Sequence, residues 1–319
     1  MNDSVLITGG LGYVGGRVAS HLAEHSPFRL KLGVRKGVTN PVWLNNGDVV
    51  SIDLLDSSTL EEACNGVKHV VHLAALNEIE SAEDPEQALL TNGLGSLKLL
   101  NAALKVGVKR FLYFSTAHVY GSPLQGTLTE GTLPRPQHPY AITHRTAEDF
   151  VLAAKDKGKI EGLVLRLSNG FGSPERPEVN RWTLLVNDLC KQSVCSRKMV
   201  LRSSGLQSRD FITLTDVGRA VKHLLSIQSE DCADGLFNLG GENSLRIIEI
   251  AEKIADRSEV VLGFRPEIQR PIPPTDESGT ILDYPIDKLK KTGFSLLSNV
   301  NEEIDATLTL CYHSFRERS

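Results

Sequence analysis

The 319-residue sequence predicts an α/β fold: a doubly wound parallel sheet with a smaller C-terminal substrate-binding cap. Three observations carry that expectation. Short apolar runs alternate with longer amphipathic ones through the first half, the pattern of strands and covering helices in a parallel sheet. A glycine-rich turn joins the first apolar run to the first amphipathic one. After about residue 170 the alternation gives way to loop-rich sequence.

Val5-Leu6-Ile7-Thr8 reads as a buried strand, and "GRVASHLAEHS" as the helix that follows it. "LKLGV", "VVSID" and "HVVHLAA" read as the second, third and fourth strands. "PEQALLTNGLGSLKLLNAALKVG" has leucines at helical spacing and reads as one long helix. "RFLYFST" is a further strand, "PYAITHRTAEDFVLAAKDKG" a second long helix with Pro139 at its start, and "GLVLRLS" another strand. "NGFGSPERPEVN" is a loop by its Gly, Pro and Asn content. Two helical stretches follow, "LTDVGRAVKHLLSI" and "RIIEIAEKIAD", with a short strand "GLFNLGG" between them; the tail is loop-rich with one short helix and ends in "NEEIDATLTLCYHSF". The expected division is a dinucleotide-binding domain over residues 1–170, re-entered at about 206–230, and a cap made of 171–205 and 231–319.

A net charge of -4 gives no electrostatic reason to expect nucleic acid or an acidic membrane surface as partner. The five cysteines, Cys64, Cys190, Cys195, Cys232 and Cys311, have no zinc-site spacing and read as reduced thiols of a cytoplasmic protein. The N-terminal stretch "MNDSVLITGG" lacks the features of a signal peptide, and no run approaches the ~18 apolar residues of a membrane span.

In "VLITGGLGYVGGRVASHL", Gly9, Gly12 and Gly15 recur every third residue between a strand and a helix. That is the setting a dinucleotide fingerprint requires, and it makes the sheet Rossmann-like. The first glycine permits the tight turn, the second lets backbone N–H groups approach a pyrophosphate, and the third lets the helix pack closely. Tyr13 and Val14 lie at the helix N-terminus, whose free N–H groups face the diphosphate. The end of the second strand meets the adenosine ribose, where an acid favours NAD and a cation a 2′-phosphate. Here "LGVRKG" supplies Arg35 and Lys36, so the cofactor is NAD or NADP with a weak lean to NADP. Asp53 and Leu54, after the third strand, stand where the adenine would lie.

The strand "RFLYFSTAHVYG" ends in Ser115 and Thr116, and "HPYAITHRTAE" opens a helix about 24 residues later. With the strand end and the helix start converging at the strand C-termini, the chain resembles the extended short-chain dehydrogenase/reductases of the nucleotide-sugar epimerase/dehydratase type. "TGGLGYVG", "DLLD", "VVHLAA", "TNGLGSLKLLNAA", "FSTAHVYG", "PYAITHRTAE", "LRLSNGFG", "SRDFITLTDV" and "FNLGG" carry the resemblance in family order over residues 4–240. It implies that Leu73, Ala74 and Ala75 line the cofactor cleft and that Asn92 and Ser115 lie beside the cofactor. It implies that Thr116 and Tyr140 are the catalytic hydroxyls, and that Asn169 and Arg209 hold the diphosphate of a nucleotide-diphosphate sugar. It further implies a homodimer in which two long helices, about 86–105 and 139–157, form a four-helix bundle with their mates.

Oxidising a sugar carbinol releases a hydride, which a nicotinamide accepts, and a proton, which a tyrosine accepts only as phenolate. Free tyrosine has a pKa of ~10, so operation at pH 7 leaves a gap of about 4 kcal/mol that nearby positive charge must narrow. The family supplies that charge from a lysine four residues after the tyrosine. Here the position is His144, which replaces the lysine in a weaker form, acts as base or relay, or marks a site that binds without catalysis. The 4,6-dehydratases carry an acidic pair after the catalytic threonine; Ala117 and His118 stand there, which disfavours dehydration. His118 faces the substrate as an extra polar group or points away as a strand-end residue. Arg265 and Arg270 are candidates for a further diphosphate contact. The expected activity is NAD(P)-dependent hydride transfer at C4 of a nucleotide-activated sugar, as a 4-epimerase or a 4-dehydrogenase/ketoreductase. The alternatives are a non-catalytic dinucleotide sensor and a dehydrogenase of a non-sugar alcohol, against which Arg209 and Asn169 argue.

Overall fold

A computed structural model describes residues 3–35, 39–274, 279 and 281–316. Seven strands form the central sheet: β1 (Ser4–Thr8), β2 (Arg29–Val34), β3 (Gly47–Ser51), β4 (His69–His72), β5 (Arg110–Thr116), β6 (Glu161–Leu167) and β7 (Leu236–Leu239). All pair in parallel, in the order β7-β6-β5-β4-β1-β2-β3. The order reverses at β1, which lies between β4 and β2, and a sheet of this kind opens its ligand crevice at the strand C-termini beside that point. β7 comes from the segment after residue 231, so that segment contributes to the sheet as well as to the C-terminal cluster.

The two-residue period of the strands sorts their side chains between two cores. Val5, Ile7, Leu112 and Phe114 face α1 (Tyr13–His25) and α6 (Leu214–Ser226). Leu6, Phe111 and Tyr113 face α2 (Ser57–Cys64), α3 (Gly95–Val106) and α4 (Pro139–Asp156). A third core joins α5 (Leu185–Ser196), α7 (Ile247–Leu262) and α8 (Val300–Phe315) through Leu189, Ile250, Ile254, Ile304 and Leu308.

Three helices depart from the sequence reading; one, α8 (Val300–Phe315), occupies a tail read as loop-rich. The expected single helix from residue 85 is a short α-turn, Pro85–Ala88, a π-turn, Leu89–Leu94, and then α3. The extra residue of a π-turn rotates one side chain out of register, and here it carries Asn92 inward to full burial. Helix α5 was not anticipated: no side chain caps its start at Leu184, and Asn187 and Ser193 lie on its buried face and blur the apolar period.

Two long-range polar ties fix the elements that bear the site. Arg166 on β6 and Glu148 on α4 are both fully enclosed, with Nε and Nη2 donating to the carboxylate at 3.0 and 2.7 Å. Removing one partner from such a buried pair costs about 3–5 kcal/mol, so it holds α4 firmly against the sheet. At the other side Arg17 on α1 donates to Glu303 on α8 at 2.6 Å and to Thr215 at 2.8 Å. No helix among the described residues is long and apolar enough to cross a membrane, and all five cysteines are unpaired.

Candidate active site

The glycine turn closes on itself. Gly9 has φ +68°, where side chains are strained, and a Cβ on Gly15 would sit 2.1 Å from the Gly9 carbonyl oxygen. A Cβ on Gly9 would also press on the Ala74 backbone nitrogen at 3.0 Å, so the turn and the residues after β4 are in close contact. Gly12 is the N-cap of α1 and no side chain caps that helix end. The first N–H groups of α1 are thereby left for an anion, and the cradle fits the pyrophosphate of a dinucleotide. Tyr13 contributes through its backbone only. Its buried hydroxyl donates to the Gly172 carbonyl at 2.9 Å, away from the crevice. Val14 is partly buried beside it.

At the adenosine end, Arg35 is exposed just past β2, with no ion pair among the described residues. Lys36 lies outside the described residues. Asp53 is exposed after β3; one carboxylate oxygen accepts from the Leu55 amide at 2.8 Å. Leu54 packs so tightly on the start of α3 that a Cβ on Gly95 would be 2.9 Å from its own Cβ. The Leu73 and Ala74 amides donate to Thr8 Oγ1 at 3.2 and 3.3 Å, and Ala75 is exposed beyond them. Asn92 spends its side chain on scaffolding: Oδ1 accepts from the Leu76 amide at 2.7 Å and Nδ2 donates to Thr143 Oγ1 at 3.2 Å.

Tyr140 and His144 share one face of α4, as their spacing requires, with ring centroids 4.3 Å apart in an edge-to-face arrangement. Pro139 occupies the first turn and His138 Nδ1 caps it by accepting from the Tyr140 amide at 3.2 Å. Tyr140 is partly buried, and no protein group hydrogen-bonds its hydroxyl among the described residues. Burial, reinforced by the Glu78 carboxylate and opposed by Arg181, pushes its phenol up to about 12. Glu78 and Arg181 pair with each other at 3.1 Å across the crevice, one from the β4 side and the other from the loop before α5.

His144 is 4 % exposed; burial lowers its imidazole to about 4, against the smaller upward pulls of Glu148 and of the Phe114 backbone carbonyl near the ring. At pH 7 it is neutral. Its Nδ1 lies 2.7 Å from the Tyr113 hydroxyl, and its Nε2 is buried with no partner. Thr116, at the end of β5, accepts from the His118 amide at 3.2 Å and is buried; Ser115 Oγ beside it is buried without a partner.

On the substrate side, Asn169 Nδ2 donates to the Asp210 carbonyl at 2.9 Å, joining two neighbouring short strands. Arg209, on the second of these, is partly buried, is lowered by desolvation, and has no carboxylate partner among the described residues. Its Nη2 donates only to Gln207 Oε1, at 3.4 Å, among the described residues, and a guanidinium without a carboxylate partner in such a position suits a phosphate. His118 is exposed toward the same region; desolvation lowers its imidazole, and the Arg209 charge adds to that. Arg265 is bound to Asp256 and to Glu252 on α7 and is not free for substrate. Arg270 donates to the Ser204 carbonyl at 2.6 Å and has no acid partner among the described residues.

Over residues 5–240 the chain matches the NAD dependent epimerase/dehydratase family. The protein belongs to that family. Among its relatives, the mouse dTDP-D-glucose 4,6-dehydratase is 27% identical over 263 residues, covering 78% of this chain and 71% of the relative. The UDP-glucose 4-epimerase of Streptomyces lividans is 28% identical over 278 residues, covering 80% of each. The UDP-glucose 4-epimerase of Thermus thermophilus, solved as a complex with NAD, superposes with a TM-score of 0.77 at 24% identity, over 98% of this chain and 99% of that one.

The family motifs led to the glycines, Thr116, Tyr140 and Arg209, but not to His72, Ser96 and Tyr113, which connect the glycine turn to His144, nor to Glu78 and Arg181. His72 had a signal: a histidine in the middle of "HVVHLAA", an otherwise buried strand, needs buried partners. It has them in Thr8 Oγ1 at 2.6 Å and Ser96 Oγ at 2.8 Å.

Burial lowers His72 to about 3 and His144 to about 4, so both stay neutral in the folded protein while the unfolded chain takes up their protons below 6.5. The unfolded state then binds more protons, and stability falls as pH drops from 6.5 toward 4. By linkage each histidine should cost about 2 kcal/mol at pH 5 relative to pH 7.5. Burial lowers His21 and His69 to about 4 as well, so they add to the same slope. Urea unfolding of the wild type and of His144→Gln measures this: the variant should lose about 2 kcal/mol of the pH dependence, and a wild-type midpoint flat from pH 7.5 to 5 would refute it.

Proposed function

We propose that the protein is an NAD(P)-dependent enzyme that transfers hydride at C4 of a nucleotide-diphosphate sugar, as a 4-epimerase or a 4-dehydrogenase/ketoreductase. The observation that carries this reading is Tyr140: a phenol in the crevice with no protein partner, on a helix held by a buried ion pair. A dinucleotide bound on Gly9, Gly12 and Gly15, with Arg35 near its ribose, supplies a nicotinamide that accepts and returns the hydride. Thr116 hydrogen-bonds the reacting sugar oxygen. Tyr140 takes that oxygen's proton during oxidation and gives it back during reduction. Asn169 and Arg209 hold the diphosphate, with Arg270 as the further cation, and the third core around α5, α7 and α8 forms the cap for the nucleotide. Dehydration is disfavoured because Ala117 and His118 supply no acid, and Glu78 is engaged with Arg181.

Neutral His144 gives Tyr140 no full positive charge, and this favours a slow or alkaline enzyme as the first reading and a non-catalytic dinucleotide sensor as the second. The same family setting supports a homodimer: Leu89, Leu90 and Leu94 near the start of α3 and Ile142 and Phe150 on α4 are exposed apolar side chains of the expected bundle face.

Three outcomes test these statements. Under anaerobic conditions with candidate nucleotide sugars, the wild type should give product or reduced-cofactor absorbance at about 340 nm, and Tyr140→Phe should lose 100-fold or more in kcat, as an estimate, while retaining dinucleotide binding; equal turnover by the two proteins would exclude Tyr140 as the proton-transferring group. His144→Lys should move the alkaline rise of the kcat profile to lower pH, and an unshifted profile with lost activity would give the histidine a dedicated role. Phe150→Glu together with Leu94→Arg should convert a dimer to a monomer in light scattering; a wild type that is already monomeric removes the bundle.

A further inference from the structure

Six polar side chains run inward from the glycine turn to the catalytic tyrosine. Thr8, His72, Ser96, Tyr113 and His144 are all at most 4 % exposed, and Tyr140 follows them at the crevice. Each buried proton in such a chain must have a defined donor and acceptor. Thr8 Oγ1 accepts from the Leu73 and Ala74 amides, which leaves its own proton for His72 Nδ1 at 2.6 Å. His72 therefore carries its proton on Nε2 and donates it to Ser96 Oγ at 2.8 Å. Ser96 in turn donates to the Asn92 carbonyl at 2.5 Å. Tyr113, whose phenol burial holds well above its usual range, keeps its proton and has two neighbours for it, Ser96 and His144. Ser96 Oγ accepts from His72 and has one lone pair left, and the Tyr113 hydroxyl stands 2.7 Å from His144 Nδ1, a close hydrogen-bond distance.

We propose that Tyr113 is a positioning residue of the reaction: its hydroxyl donates to His144 Nδ1 and so fixes the imidazole proton on Nε2, the nitrogen left without a protein partner. His144 then presents a neutral N–H donor one helical turn from Tyr140, for a hydroxyl oxygen of the bound cofactor. An unpaired buried donor is unfavourable in the free protein, and a ligand oxygen relieves it. The opposite arrangement, with the Tyr113 proton on Ser96 and the His144 proton on Nδ1, would leave Nε2 a bare acceptor unable to hold an oxygen without borrowing its proton. The assignment of the donor to a catalytic purpose rests on the hydride-transfer reading above, while the tautomer itself does not.

Nitrogen-15 histidine labelling of the full chain, with long-range proton–nitrogen spectra at about pH 7.5, reads the tautomer directly. The His144 signals are identified by their loss in His144→Gln. The expected wild-type pattern is a proton on Nε2 and a bare Nδ1, and Tyr113→Phe should replace it by a mixture of tautomers. A proton on Nδ1 in the wild type, or an unchanged pattern in Tyr113→Phe, overturns the proposal; the wild-type spectrum decides alone if that variant does not fold. No substrate enters this measurement, so absent turnover in a protein with the expected tautomer would count against the sugar reading and not against the tautomer. In the kinetic arm Tyr113→Phe should lower kcat about tenfold or more, with a smaller change in KM, since a wrong tautomer disables an otherwise intact site. In the His144→Lys background the loss should shrink severalfold, because an ammonium has no tautomer; a loss of the same size in both backgrounds marks Tyr113 as structural only and overturns its positioning role.

Discussion

Burial keeps the imidazole of His144 neutral, and the arrangement around Tyr140 depends on that condition. Taking an isolated charge out of water is unfavourable by far more than a single hydrogen bond returns. Glu148, one turn further along α4, does not reverse this, because its carboxylate is already committed to Arg166 and Arg145. The site therefore offers its tyrosine a dipole where a permanent cation is expected. Among the described residues, the positive charge that bears on Tyr140 is Arg181, itself balanced by Glu78.

The buried polar chain, the buried Arg166–Glu148 pair and the partly buried Arg17–Glu303 pair serve a common purpose. Each joins parts of the sequence that the sheet topology brings near but does not lock. His72 and Ser96 register β4 against α3 behind the glycine turn, and Asn92 anchors the chain after β4 through Leu76. Arg166 and Glu148 fix the rotation of α4, which decides where Tyr140 points. Polar contacts of this kind add modestly to net stability, but they exclude alternatives that apolar packing alone would tolerate.

Much of this was legible in the sequence, for physical reasons. The sheet was readable because two-residue and 3.6-residue periods survive in β1, β5, α1 and α4. The glycine turn was readable because Gly9 and Gly15 occupy positions where no other residue fits. The π-turn at Leu89–Leu94 was not, since its residues keep good helical spacing and only the inward demand of Asn92 adds the extra residue. Helix α5 was hidden by polar residues on its buried face. The pairing of Tyr113 with His144, and of Glu78 with Arg181, depends on side chains 31 and 103 residues apart, a relation that no local pattern encodes. Arg265 looked as eligible as Arg270 until α7 supplied it with two acids.

The tie between Arg17 and Glu303 has a consequence for how the protein comes to be made. The first helix, whose N-terminus forms the phosphate cradle, pairs through Arg17 with Glu175 at 3.5 Å and, more closely, with Glu303 in the last described helix, 286 residues later. Glu303 also lies where a Cβ on Gly172 would meet its Oε1 at 2.1 Å, so the loop that accepts the Tyr13 hydroxyl is shaped by that same late residue. During synthesis from the N-terminus, the chain completes most of its sheet before this bolt exists. The cradle beside Gly9 therefore gains this long-range support only after residue 303 has been added to the growing chain.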